Sequence, residues 1–107
     1  MVVVNKGKPN PQSADVKSRK VDMVYFQNGD PDATYKVVWT DKVHGSPFVA
    51  PGAPAEKSSI TIAPFAAPSG PFRVHDLAKS GQKYTYDLMA TRSGKTTRAG
   101  AGSVIVE

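Results

Sequence analysis

The sequence of 107 residues contains no cysteine. Disulfide bonds, cysteine-based zinc sites, thiol catalysis and copper centres that need a thiolate ligand are therefore excluded. Long apolar runs are absent as well. The longest, Met1–Val4 and the stretch around Trp39, fall far short of the roughly 20 residues that a membrane-spanning helix needs. We therefore expect no membrane span, and no signal peptide, because no sustained apolar stretch follows Met1.

Uninterrupted helical windows are also scarce, because nine Pro and nine Gly are spread along the chain. What recurs instead is short runs rich in Val, Ile, Thr, Tyr and Phe, bounded by turn residues, which is typical of strands. The runs predicted as strands are Val2–Asn5, Val21–Phe26, Thr34–Thr40, Ser58–Ala63, Pro71–Leu77, Lys83–Ala90 and Ser103–Val106. About seven short strands of alternating polarity predict an all-β fold, a small antiparallel β-sandwich. Residues 1–107 are expected to form one domain, with residues 5–20 irregular or mobile.

The net charge of +5 is unevenly distributed. Residues 1–20 hold five Lys or Arg against one Asp, and residues 91–107 hold three Lys or Arg against one Glu. The segment between them is close to neutral. Two local basic segments can bind an anion, but a surface that follows duplex nucleic acid usually carries more basic segments than two.

Enzymatic motifs are missing. No Gly-x-Ser-x-Gly sequence occurs, and the carboxylates show no paired spacing. Gly94-Lys95-Thr96 is similar to the end of a phosphate-binding loop, but the full motif needs glycine where Met89 stands and a helix after Thr96. We therefore expect a protein that is not an enzyme.

The last third of the chain, Gly81–Leu88 followed by Gly100–Glu107, resembles the end of the cupredoxin family, which has a Gly-x-Tyr-x-Phe/Tyr-x-Cys sequence, a ligand loop and a final Val/Ile strand. Tyr35–Trp39 is similar to the family strand that begins with a histidine ligand. The resemblance implies a Greek-key, cupredoxin-like sandwich, with an immunoglobulin-like sandwich as the alternative. It also favours a periplasmic or secreted location, while a cytoplasmic one stays open.

The copper ligands of that family are not retained. By the same resemblance, the histidine position falls on Tyr35, the cysteine position on Leu88, the second histidine near Thr91 and the axial methionine near Gly100. A trigonal copper site needs a thiolate and two imidazoles. The resemblance therefore implies a copper-free scaffold without a cofactor, of the kind that serves as an interaction module.

Three groups of residues are candidate binding sites. His44 and His75 could hold a divalent metal ion, because imidazole suits Zn, Cu or Ni. Phe48 and Phe65 lie among prolines in predicted loops and would form an apolar contact patch if both are exposed at one end. The remaining aromatic side chains follow the two-residue period of an inward strand face and are expected to be core. Arg92, Lys95 and Arg98 form a basic loop that could bind an acidic partner or an anion.

The sequence therefore predicts a copper-free binding or structural module. The expected contact surface is the loop end formed by residues 41–57, 64–70 and 91–100. One alternative is polyanion or nucleic-acid binding through the N-terminal lysines and the segment Arg92–Arg98. A second alternative is weak divalent-metal binding by His44 and His75.

Overall fold

The computed structural model describes residues 2–17, 23–40, 46–48, 59–64, 69–74 and 80–107. These residues contain no helix and form nine strands. The strands are β1 (Val2–Asn5), β2 (Lys8–Asn10), β3 (Ser13–Val16), β4 (Met23–Asn28), β5 (Thr34–Trp39), β6 (Ile60–Ile62), β7 (Ser69–Arg73), β8 (Lys83–Arg92) and β9 (Lys95–Val106). The described residues accordingly contain no helix of the length and apolar content needed to cross a membrane.

The strands form two sheets. The four-stranded sheet has the order β2-β1-β4-β7, and the five-stranded sheet has the order β3-β9-β8-β5-β6. The predicted purely antiparallel arrangement needs correction at two pairs, because β1 runs parallel to β4 and β3 runs parallel to β9. Both parallel pairs involve strands from the first 16 residues, β1 in the four-stranded sheet and β3 in the five-stranded sheet.

Two of the nine strands lie where the sequence predicts irregular or mobile structure. Within residues 5–20, β2 pairs with β1 and β3 pairs with the end of β9. Both are short outer strands with mostly exposed side chains. An outer strand accommodates polar residues and a proline such as Pro9, because one side of its backbone faces no partner. These strands therefore lack the apolar alternation by which a strand is recognised in a sequence.

One cluster of buried side chains joins the two sheets. On β8 the alternate residues Tyr84, Tyr86 and Leu88 are buried, as their two-residue period predicts. Phe26 of the four-stranded sheet packs edge-on against Tyr86 of the five-stranded sheet, with ring centroids 5.8 Å apart. The predicted all-β class is confirmed, and two sheets that share one apolar layer are consistent with a β-sandwich.

The longest strands, β8 and β9, form a hairpin. Its two-residue turn is Ser93-Gly94, with φ of 50° and 80°, and two positive φ values are typical of the type I′ turn that suits a twisted hairpin. Residues 92–95 therefore form a tight hairpin turn. The prediction of a loop over 91–100 is wrong, because β9 already begins at Lys95 and is paired with β8 as far as Ile105, with one register shift between Leu88 and Met89. Thr96 and Thr97 favour this extended backbone.

Candidate functional site

The two inward positions that correspond to copper ligands by resemblance are filled by packed side chains. Tyr35 on β5 and Leu88 on β8 are both 0% exposed. They lie on neighbouring antiparallel strands, because Val37 pairs with Leu88 and Tyr35 pairs with Ala90. Neither side chain offers an imidazole or a thiolate. Within the described parts of the chain, no cluster of three or more His, Cys, Asp or Glu side chains could hold a metal ion.

Tyr35 is instead part of a buried polar network centred on Asp30. The Tyr35 hydroxyl donates a hydrogen bond of 2.5 Å to Oδ2 of Asp30, whose side chain is only 7% exposed. The backbone N–H of Lys6 donates to both carboxylate oxygens of Asp30, at 2.8 and 3.1 Å, and the N–H of Gly7 also bonds this carboxylate. Lys6 and Gly7 form the turn between β1 and β2, so Asp30 fastens that hairpin to β5.

A second buried side chain, Asn28, holds Asp30 in place. The side-chain oxygen of Asn28 accepts a hydrogen bond of 2.8 Å from the backbone N–H of Asp30. Its amide nitrogen donates to the carbonyl oxygens of Ala33 and Ile62, at 2.6 and 3.1 Å. Every polar atom of the Asn28 side chain is therefore used, and the end of β4 is connected to β6 across the two sheets. Such a satisfied network fixes one local geometry.

The network shifts the acidity of both of its titratable members. Burial alone would raise the pKa of Asp30, but the hydrogen bonds from Tyr35, Lys6 and Gly7 and the charge of Arg92 outweigh burial and lower that pKa. Burial and the bond to Asp30 raise the pKa of the Tyr35 hydroxyl. At neutral pH the pair is therefore an ionised carboxylate that accepts a hydrogen bond from a neutral phenol.

Arg92 connects this network to the basic hairpin. Its Nη2 donates a hydrogen bond of 3.3 Å to the Tyr35 hydroxyl, and its Nε lies 3.8 Å from Oδ2 of Asp32. Arg92, Lys95 and Arg98 are all exposed along the β8–β9 hairpin. Arg98 forms an ion pair of 2.9 Å with Asp87, yet 62% of its side chain is still exposed. The predicted basic segment is thus an ordered pair of strands with its cations accessible.

The β8–β9 hairpin lies beside the Lys6-Gly7 turn, which belongs to the other basic segment of the sequence. Asp30 bonds the Lys6-Gly7 turn and also bonds Tyr35, which Arg92 contacts. Farther along β9, Gly100 lies so close to the carbonyl oxygen of Gly7 that a side chain there would collide with it. The β1–β2 hairpin and the β8–β9 hairpin therefore lie together at one end of the molecule. We call this the basic end, defined by Lys6, Lys8, Arg92, Lys95 and Arg98.

A shallow polar groove runs over the outer face of the five-stranded sheet. Its volume is about 430 Å³, and Arg98, Asp87 and Lys83 are among the residues that line it. Hydroxyl pairs cross this face, Thr40 with Thr85 at 2.6 Å and Ser13 with Ser103 at 2.8 Å. The hydroxyl groups bond one another, and none of the described residues that line the groove is a base placed to activate them. The groove offers hydrogen-bonding groups rather than an activated nucleophile.

The predicted aromatic and histidine sites are only partly described. Phe48 is half-buried, since its ring stacks on Phe72 at 5.4 Å and meets Trp39 edge-on at 5.6 Å. This packing leaves only part of the Phe48 ring for a partner. Phe65, His44 and His75 lie outside the described residues. Metal binding by the two histidines stays a prediction, which calorimetry showing no heat with Cu(II) or Zn(II) would contradict.

Two features of the described residues are missed by reasoning from the sequence. Asn28 and Asp30 are polar residues that no apolar pattern marks as buried, although both are buried. The Tyr86 hydroxyl is buried and has no hydrogen-bond partner among the described residues, and burial raises its pKa. It lies against Gly102, where a Cβ atom would meet the Tyr86 ring. The glycine opposite a tyrosine on paired strands is the signal in the sequence for this close approach.

Comparison of the chain with protein-family models, with curated proteins and with solved structures finds no significant match.

Proposed function

We propose that the chain is a non-enzymatic, copper-free binding module with a Greek-key, cupredoxin-like topology, and that its basic end is the contact surface for an acidic partner. The convergence of five cations from two separate hairpins carries this proposal. The strands that carry them are ordered, and the Asp30 network fixes the Lys6-Gly7 turn and the Arg92 side chain. A ligand therefore meets a surface that is already arranged, which lowers the entropy cost of binding.

The chemistry of the described side chains favours binding over catalysis. The one buried carboxylate, Asp30, is fully engaged by the hydrogen bonds of Tyr35, Lys6 and Gly7, so it has no free position at which to take a proton from a substrate. The hydroxyl groups of the outer groove bond one another. By contrast, the cations are exposed, and exposed charge attracts an oppositely charged partner over a distance of about 10 Å in about 0.1 M salt.

Retention on heparin tests the basic end. We expect the triple variant Arg92→Ala/Lys95→Ala/Arg98→Ala to elute at a clearly lower salt concentration than the wild type. Because about three ionic contacts are lost, the slope of log K against log salt, measured with an anionic oligomer, should become shallower by about 2 to 3. Unfolding curves of both proteins establish that the substitutions leave the fold intact.

The matched control removes three cations from the opposite end of the sheets. Lys17 follows β3, Arg73 ends β7 and Lys83 begins β8, all exposed. The variant Lys17→Ala/Arg73→Ala/Lys83→Ala has the same net charge as the hairpin variant and should keep most of the retention. Equal losses of heparin retention in both variants would mean that retention depends on net charge alone. The basic end would then have no special role.

Polyanion or nucleic-acid binding is the second candidate, and the same convergence favours it. The N-terminal lysines Lys6 and Lys8 lie on the end that carries the hairpin cations, so both basic segments of the sequence could contact one phosphate backbone. A binding constant for a duplex oligonucleotide that depends steeply on salt and not on sequence would support this candidate. Unchanged binding in the hairpin variant would contradict it.

A further inference from the structure

We propose that the free edge of β9 at residues 95–98 accepts an extended acidic segment of a partner protein as an added strand. The proposal rests on the proposed function, because it names the kind of partner that the basic end binds. Addition of a strand to a sheet edge is a common way in which proteins bind extended peptides, with backbone hydrogen bonds giving affinity and side chains giving selectivity.

The edge is defined by what covers the rest of β9. On the side opposite β8, strand β3 pairs with Ser103–Val106. Next to that segment, Gly7 lies against Ala99 and Gly100. In the part of the chain that the structure describes, no strand pairs with residues 95–98 on that side. As far as the described residues go, four residues of β9 therefore present an unpaired backbone edge between the hairpin turn and the Gly7 contact.

The hairpin register identifies the backbone groups that face outward. In a hairpin with a two-residue turn, the residues flanking the turn, here Arg92 and Lys95, form a hydrogen-bonded pair. Because such pairs alternate with non-hydrogen-bonded pairs, Thr91 with Thr96 is of the second kind, and so is Met89 with Arg98. The 2.8 Å bond between the hydroxyls of Thr91 and Thr96 agrees with the close side chains of such a pair. The N–H and C=O groups of Thr96 and Arg98 therefore point away from β8.

The charges on the edge identify the chemistry of the occupant. Side chains alternate along a strand, so Lys95 and Thr97 project to one face of the edge and Thr96 and Arg98 to the other. Each face thus carries one cation. A second copy of the chain, paired through this edge, would bring like charges together, which disfavours it. A segment with acidic residues on both faces would instead place opposite charges beside Lys95 and Arg98.

The test uses a labelled peptide of about ten residues in which Glu-Glu pairs alternate with Val-Thr pairs. Because neighbouring residues of a strand point to opposite faces, each Glu-Glu pair places one acidic side chain on each face. Its binding to the full chain is measured by fluorescence anisotropy. We expect Thr96→Pro to weaken binding at least tenfold, because proline removes the outward N–H, while the N–H groups that bond β8 are kept. Thr96→Ala is the matched control, since it removes the hydroxyl but keeps the N–H, and it should bind like the wild type.

A second measurement leaves the protein unchanged. The same peptide with N-methyl groups on alternate residues cannot donate backbone hydrogen bonds from those residues, although it keeps its charge and side chains. We expect at least tenfold weaker binding when the N-methyl groups lie on the residues whose N–H groups point toward β9. Methylation of the other residues, whose N–H groups point away from β9, should change binding little. Hydrogen exchange at the amides of Thr96 and Arg98 should slow on binding of the unmodified peptide.

The outcomes separate the two proposals. If Thr96→Pro and both methylated peptides bind like their parents, while Arg92→Ala/Lys95→Ala/Arg98→Ala abolishes binding, the edge has no role and the basic end acts through charge alone. That result overturns the added strand and leaves the proposed function standing. If the chain binds heparin or an oligonucleotide but not the peptide, the partner is a polyanion and the inference fails. If it binds none of these probes, both proposals fail.

Discussion

Asp30 shows how one residue determines the local geometry of the basic end. Its carboxylate receives hydrogen bonds from the first hairpin turn and from Tyr35 on β5, and Tyr35 receives one from Arg92 on β8. A carboxylate is suited to this position because it accepts several hydrogen bonds and donates none. The position of Arg92, and with it part of the contact surface, therefore depends on a buried acid that touches no ligand.

The substitution Asp30→Asn tests this dependence. Asparagine offers one acceptor oxygen and turns an N–H group toward other donors, so we expect a loss of about 1–3 kcal/mol in the free energy of unfolding at pH 7. Denaturant unfolding measures the loss. The control is Asp15→Asn on an exposed carboxyl, which should change stability by no more than about 0.5 kcal/mol.

The stability difference between the wild type and Asp30→Asn should also depend on pH, with a sign that follows from the pKa shift of Asp30. The folded-state pKa of Asp30 is lowered. The stabilisation that the Asp30 carboxylate contributes is therefore complete above the unfolded-state pKa, about 4. It is lost as the pH falls through the folded-state pKa. The stability difference between the wild type and Asp30→Asn should therefore shrink below about pH 4. A difference that is constant from pH 7 to pH 2 would show that the carboxylate is not the group that matters.

The β8–β9 hairpin is the element on which most of the candidate site depends. Its core half follows the alternation that the sequence predicts, since Tyr84, Tyr86 and Leu88 are buried. Its outer half does not, because Lys95–Arg98 has no apolar alternation and is held by pairing with β8. Alternation of apolar and polar residues indicates that one face of a strand is buried. A strand that buries little on either face therefore shows no such alternation.

The contrast between Tyr86 and Asn28 shows where prediction from the sequence ends. The two-residue period places Tyr86 inside, as found, because its ring packs in the layer between the sheets. Nothing in the sequence near Asn28 indicates that its amide reaches Ile62, which lies 34 residues away. Strand faces are local properties of a sequence, whereas the polar network depends on how distant strands are brought together. The topology that brings them together is likewise not encoded in local periodicity.

Within the hairpin, Gly102 and Tyr86 form a close pair that can be tested. A Cβ atom at Gly102 would overlap the Tyr86 side chain and would lie 2.9 Å from the carbonyl oxygen of Gln12. We expect Gly102→Ala to lower the free energy of unfolding by about 1–3 kcal/mol through overpacking. We expect Tyr86→Phe to leave it unchanged or to raise it by up to about 1 kcal/mol, because the buried hydroxyl has no partner among the described residues.

Thermal or denaturant unfolding of the two variants decides the point. A loss of more than about 1 kcal/mol in Tyr86→Phe would show that the hydroxyl bonds a group in the folded protein. A Gly102→Ala variant as stable as the wild type would show that β9 can move away from Tyr86 without cost.

At the scale of the whole molecule, the two sheets depend on each other through one apolar layer. Phe26 contributes to both halves of this layer, since it meets Phe72 in its own sheet at 6.1 Å and Tyr86 in the other sheet at 5.8 Å. It is also fully buried. Loss of this ring removes contacts from both sheets together, so the sheets are expected to unfold in one transition.

The variant Phe26→Ala tests this coupling. We expect it to cost about 3–5 kcal/mol, because a large cavity opens in the shared layer. Near-ultraviolet circular dichroism and tryptophan fluorescence should report the same midpoint, since Trp39 lies in the other sheet and contacts Tyr86. Tyr25→Ala, at a half-buried position on the same strand, is the milder comparison. Separate midpoints for the two probes would show that the sheets unfold independently.

The pairing of β3 with β9 bears on how the protein is made in the cell. The hydroxyl groups of Ser13 and Ser103 are joined across 90 residues of chain, and the parallel ladder beside them has the same separation. The third strand must therefore wait, without its neighbour, until β9 has been synthesised. During that interval the nascent chain exposes the apolar face of its first strands, which makes it prone to misfolding and aggregation.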